Sequence, residues 1–133
     1  MKNGLLSGGA DLGLLVLRMG AGAIMFFSHG LGKLGSISER FHSFSDPYGL
    51  GPEITFSVAL LAEGICSLLI TIGLYTRIAV LPLLVTMGTI VFVVFKDDPW
   101  NKKELPLLFF VAFLAILFAG PGKYSLDNKF FRT

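Results

Sequence analysis

Cysteine is almost missing from this chain. Cys66 is the only one among 133 residues, which excludes an intrachain disulfide, a CxxC redox pair and a cysteine-ligated iron–sulfur cluster. In its setting, Gly64-Ile65-Cys66-Ser67-Leu68, the thiol behaves as a small apolar residue. Histidine is equally scarce. His29 and His42 are the two present, and His42 falls in a polar loop, so bis-histidine haem ligation within the apolar stretches is excluded. His29 with Glu63 alone is short of a metal ligand set, and the glycines lack the strand–turn–helix setting that a dinucleotide fingerprint needs. Charge is thin as well. Charged residues make up 15% of the chain, against about a quarter in average soluble domains. A net charge of +2 without a Lys/Arg cluster gives no electrostatic footprint for nucleic acid. Low charge joined to 53% hydrophobic residues is the reverse of a disordered composition.

What fills the chain is apolar sequence. Four stretches, Leu12–Gly32, Ile54–Thr76, Ile78–Phe95 and Leu105–Gly122, contain only two of the twenty Asp, Glu, Lys and Arg residues, Arg18 and Glu63. A helix crosses a bilayer with about 20 mostly apolar residues. A membrane β-barrel would alternate in polarity instead, and a cleaved signal peptide would be shorter and not interrupted by Arg18. The expected fold is therefore all-α: a polytopic membrane protein, one transmembrane domain over 1–133. It would be a four-helix transmembrane bundle with spans at about 12–32, 54–74, 78–95 and 105–120.

Between spans one and two, Lys33 to Glu53 carries its own pattern. Ser36 and Glu39 have capping-box spacing, and Ile37, Phe41, Phe44 and Tyr48 form one apolar stripe. A short interfacial helix over Ile37 to Ser45, ended by Asp46-Pro47, is expected; a re-entrant cap would leave the same pattern. Gly73 suits the left-handed residue that ends a helix, making spans two and three a tight hairpin. Span four is expected to open around Pro106. Small residues in span one (Gly13, Gly20, Gly22) either seat a neighbouring helix or are merely tolerated. Tyr48, Tyr75, Trp100 and Tyr124 all fall at span ends, as interfacial belts require.

Orientation does not follow from charge. One side carries Lys2, Arg77, Lys123, Lys129 and Arg132, and the other Lys33, Arg40, Lys96, Lys102 and Lys103, so the positive-inside rule ties. The charged groups within the spans are more informative, because ionisable residues there are costly and mark functional sites by default. At 3.6 residues per turn, Arg18 and His29 point about 20° apart, with Lys33 about 60° from Arg18. Glu63, by helical rise, lies between Arg18 and His29 in depth. An Arg18–Glu63 pair is the simplest expectation, with Lys33 as a snorkelling anchor. The pair could register two helices, or Arg18, His29 and Glu63 could line a polar pocket for a lipid-soluble ligand.

These residues in this order resemble the DoxX family of small four-span bacterial membrane proteins, over about Leu14 to Asp127. The likeness rests on Arg18, His29-Gly30-Leu31-Gly32-Lys33, Ala62-Glu63, Gly73-Leu74-Tyr75-Thr76-Arg77, and Gly120-Pro121-Gly122-Lys123-Tyr124-Ser125-Leu126-Asp127. The resemblance implies a multi-pass protein of the bacterial inner membrane with cytoplasmic termini. It also implies an oxidoreductase component linked to quinone or stress metabolism, without a uniform catalytic set to transfer. With no intrinsic cofactor motif, electron chemistry would require a bound quinone or a soluble or membrane redox partner. A quinone pocket needs an apolar cavity with a few hydrogen-bonding groups. A non-catalytic scaffold for a soluble partner and a small transporter or proton path stand as alternatives.

Overall fold

The computed structural model describes residues 4–131, and those residues are helical and without strands. Helix α1 runs Gly4–Met25, widens over Phe26–Gly30 into a π-type turn in which the Leu31 N–H bonds to the Phe26 carbonyl, and resumes over Leu31–Gly35. A single turn, α2, covers Ile37–Arg40. Helix α3 comprises Pro52–Leu60, a second wide turn at Leu61–Cys66, and Ser67–Ile72. Helix α4 runs Thr76–Thr89 and ends in a third wide turn, Ile90–Val94. Helix α5 spans Trp100–Ala119, and α6 spans Leu126–Phe131.

Three of these helices are long and apolar enough to cross a membrane: Gly8–Gly35, Pro52–Ile72 and Thr76–Val94. The four long helices pack around one core in which Met25, Ile70, Val80, Leu83, Phe113 and Ile116 are fully enclosed. Their outer faces carry Val16, Phe27, Ile78, Phe92 and Phe118, all exposed. A continuous apolar outside of this kind is what lipid solvates and water does not.

Two expectations about element ends need correcting. The helix that carries the fourth apolar stretch does not open at Pro106. Pro99, with extended backbone (φ −65°, ψ 157°), precedes a helix that begins at Trp100, and Pro106 lies inside it. The carbonyl that this proline leaves free belongs to Lys102, in the polar first turns where its loss costs little. Nor does a helix cover Ile37 to Ser45. Its start lacks a side-chain cap, the Ser36 hydroxyl donating back to the Gly32 carbonyl (2.7 Å), and it stops after Arg40, where the Ser43 N–H closes a tight turn onto Arg40 O (3.3 Å). The aromatic stripe then turns inward, with Phe41 and Phe44 meeting the buried Phe56 edge-to-face at 6.0 and 5.1 Å. The segment folds over the end of α3 as a cap.

Asp46 anchors that cap. Its carboxylate accepts from Leu50 N–H, Gly51 N–H and the Thr55 hydroxyl at 2.8–3.0 Å, serving the unpaired donors at the start of α3.

At the opposite end the chain is clasped. Gly73 is left-handed (φ +78°). The Gly73 and Leu74 N–H groups both bond to Leu69 O, a Schellman closure that admits glycine and little else. The Asp127 carboxylate, from the far end of the chain, accepts from Tyr75 N–H (2.6 Å) and Thr76 N–H (2.8 Å). An anion there caps the N-terminus of α4. Asp127 N–H returns a bond to Gly73 O at 2.8 Å. Lys2 and Arg132, counted above in the charge tie, lie outside the described residues.

Two outcomes are expected from these anchors. Asp127→Ala should cost about 1–2 kcal/mol through the lost cap, and Asp127→Asn less, measured by unfolding in mixed micelles. The Asp46 carboxyl is held below its ordinary range, chiefly by the Gly51 N–H and then by the Thr55 hydroxyl. Its contribution is therefore present above the usual aspartate value of about 4 and lost as pH falls through the lower folded value. Hydrogen-exchange protection at the Gly51 amide should hold at pH 6 and fall on acidification, and Asp46→Asn should remove that acid-dependent step.

Candidate functional site

The wide turns of α1 and α3 face each other. A Cβ on Gly30 would lie 2.5 Å from the Glu63 carbonyl oxygen and 2.9 Å from Gly64 Cα, so only glycine lets the two backbones touch. π-type turns recur at functional sites because they re-aim the side chains beyond them. Here they bring Lys33 and Glu63 together. Lys33 Nζ and Glu63 Oε1 are 2.6 Å apart, with the side chains 10% and 2% exposed. The expected Arg18–Glu63 pair is thus replaced by Lys33–Glu63, and Lys33 is a buried partner, not a snorkelling anchor.

Above this pair lies a cavity of about 320 Å³ between α3, α4 and the 41–51 cap. Glu63 and Lys33 lie at its polar end, and Ala59, Val58, Val85 and Ile90 supply apolar wall. Phe44 roofs it, with Lys33 Nζ 5.7 Å and the Arg40 guanidinium 5.8 Å from the ring centroid, both within cation–π range. The Tyr48 and Thr89 hydroxyls share a 2.7 Å hydrogen bond that ties the cap to α4. Val58 and Val85 line the cavity and are also exposed on the apolar outer face. The cavity therefore has an apolar opening on the outer face of α3 and α4.

The residues singled out from sequence divide between two ends. His29 is half-buried and sets its ring edge-on to Phe109 at 6.0 Å; it neighbours the site through Gly30 but does not line the cavity. Arg18 is at the far end. Its guanidinium donates to Pro121 O (2.7 Å) and Tyr124 O (2.8 Å), fastening the C-terminal loop beside Asp127. Arg77 donates to Leu117 O at 3.2 Å, covering the end of α5, and its guanidinium packs where a Cβ on Gly120 would sit. Gly73, Arg77, Gly120, Pro121 and Gly122 thus belong to the clasp, while Gly30, Lys33 and Glu63 belong to the cavity. A Cβ on Gly22 would run into Ser67 and Thr71 across α1 and α3, whereas a Cβ on Gly13 or Gly20 would meet nothing within 4 Å.

Sequence reasoning missed Phe44, Tyr48 and Thr89 as neighbours of Glu63. One signal was available: Thr55, Ala59 and Glu63 lie at i, i+4, i+8 and share a face of α3. Among the described residues no three His, Cys, Asp or Glu side chains converge to hold a metal ion.

The family model for DoxX matches residues 13–96, a segment that holds Arg18, Gly30, Lys33, Glu63 and Gly73. An uncharacterized protein of Haemophilus influenzae is 32% identical over 90% of this chain and 84% of its own length. A second from that organism is 35% identical over 83% of this chain and 85% of its own. An uncharacterized membrane protein of Mycobacterium tuberculosis is 31% identical over 70% and 72%. No solved structure matches the chain. With the family model spanning both the cavity pair and the first half of the clasp, the chain belongs to the DoxX family of membrane proteins.

Proposed function

We propose that this protein is a quinone-linked component of a membrane redox system, binding a quinone ring in the Lys33–Glu63 cavity. The observation that carries the reading is a buried ion pair at the closed end of an apolar cavity that opens on the outer face of α3 and α4. An apolar wall with a few convergent polar groups suits a ring bearing two oxygens on a hydrocarbon tail. Val58 and Val85 at the mouth would let the tail stay in the bilayer while the ring enters. Electrons would pass to or from a partner protein.

In this reading α5 is the fourth span. Leu105, Leu108, Val111 and Phe118 are exposed along it, a face suited to lipid, and its charged first turn sits at the interface. The site then lies toward the outer side of the bacterial inner membrane, with the termini cytoplasmic.

The test is binding of decylubiquinone to the protein in lipid nanodiscs. One equivalent should bind. Val58→Phe with Val85→Phe, which adds bulk at exposed mouth positions and leaves the core untouched, should weaken binding at least about tenfold with the melting temperature unchanged. Undiminished binding in that variant would refute the assignment of the cavity.

The ion pair itself should behave asymmetrically. Glu63→Gln leaves Lys33 buried without its counter-charge; losses of this kind run to about 3–5 kcal/mol in soluble proteins. The double variant Lys33→Met with Glu63→Leu should recover most of that stability and still fail to bind decylubiquinone. Recovery of binding with recovery of stability would make the pair a helix clamp only.

A further inference from the structure

We infer that the cavity selects the reduced, hydroxyl-bearing form of its ligand, the quinol, over the oxidised quinone. This rests on the quinone-binding reading above and adds which redox form is held. The support is a count of unfilled hydrogen-bonding capacity at the polar end of the cavity.

A carboxylate accepts at two oxygens and donates nothing, whereas an ammonium has three donors. Glu63 Oε1 takes one proton of Lys33. Its other oxygen, Oε2, has no hydrogen bond among the described residues. Nor is it sealed away: the enclosed side-chain atoms without partners are Arg18 Nε and Thr76 Oγ1, both elsewhere. Oε2, which shares the carboxylate charge with Oε1, is therefore an acceptor left unfilled among the described residues, on a side chain that lines the cavity. Lys33 Nζ keeps two donors beyond its bond to Oε1.

The hydroxyls in the wall do not fill that acceptor. Thr86 donates to Pro82 O (2.8 Å), Thr55 donates to Asp46 (2.8 Å), Thr89 is bonded to Tyr48 (2.7 Å), and Ser45, exposed at the rim, makes no hydrogen bond to Glu63 among the described residues.

A quinone offers only acceptors. Its carbonyl can take a proton from Lys33, but it displaces water from Oε2 and gives nothing back, and a desolvated acceptor left unpaired is costly. A quinol hydroxyl answers both groups. Its O–H donates to Oε2 while its oxygen accepts from Lys33 Nζ; with Nζ 2.6 Å from Oε1 and Oε2 on the same carboxylate carbon, one hydroxyl oxygen can reach both. The bond to a carboxylate is charge-assisted, the stronger kind.

Wild-type protein in nanodiscs should be compared, under anaerobic conditions, with three probes: decylubiquinol, its dimethyl ether and decylubiquinone. The ether keeps the ring and tail and lacks the donors. Decylubiquinol should bind at least about tenfold more tightly than either of the others, the scale of one charge-assisted hydrogen bond. The midpoint potential of the bound couple should rise by about 30 mV for that tenfold preference. In Glu63→Gln, whose amide can donate to a carbonyl, the preference should collapse toward unity; should the variant fail to fold, the ether comparison on wild type decides alone. Equal binding of quinol and ether, or tighter binding of the quinone, would overturn the inference and leave the quinone site standing. Failure of all three to bind would remove both. Full preference retained in a folded Glu63→Gln variant would also overturn it.

Discussion

A charge placed where water cannot follow must find a partner inside the protein, and the Lys33–Glu63 pair meets that demand. Glu63 sits in the middle of α3, among the most enclosed side chains of the chain. Its one counter-charge comes from the last turns of α1. For the two to meet, the helices must touch at Gly30, and both must widen there. The cap over residues 41–51, the roofing Phe44 and the cavity beneath it follow from holding α1 and α3 in that register. Buried ion pairs are poor sources of net stability; what this one does in the structure is hold α1 and α3 together beside the cavity.

The other end solves a different problem. A turn of a few residues joins α3 to α4, exposing carbonyls at one helix end and N–H groups at the next. Gly73 closes the first set and Asp127 the second. Arg18 then holds the loop that carries Asp127 by two carbonyl bonds. The distant pieces of the motif, first helix, turn and C-terminal loop, are thus one assembly at one end. Two charged groups within the apolar stretches, Arg18 and Glu63, look alike by composition and differ in purpose: one fastens the chain, the other faces a cavity.

Much of this was legible in the sequence. Unbroken apolar runs announced helices for a membrane, and Gly73 announced its turn, because both follow from local chemistry. Glu63 was marked as exceptional by its solitude. Its partner was not legible. Ranking Arg18 first rested on a depth for Glu63 between Arg18 and His29, whereas the contacts of Gly22 with Thr71 and of Gly30 with Glu63 set Glu63 level with Gly30. The short reach of α2 was hidden too: the spacing of Ile37, Phe41, Phe44 and Tyr48 fits a continuing helix, whereas Phe41 and Phe44 reach Phe56 from beyond the helix end. The role of Asp127 could not be read locally at all, since the groups it caps lie about fifty positions earlier in the chain.

The wide turn in α1 also works as a phase shift. A helix rotates by roughly 100° per residue, so an extra residue accommodated within Phe26–Gly30 decides which way everything after it points. Upstream, Gly22 seats α1 against Ser67 and Thr71 of α3; downstream, Lys33 is aimed at Glu63. Removing one residue between them would leave the first contact in place and swing the lysine off its partner by about a quarter turn. The fold and the cavity are therefore set by separate segments of one helix. The chemistry of the site can be retuned, gained or lost by a length change of one residue, without altering any residue that lines it.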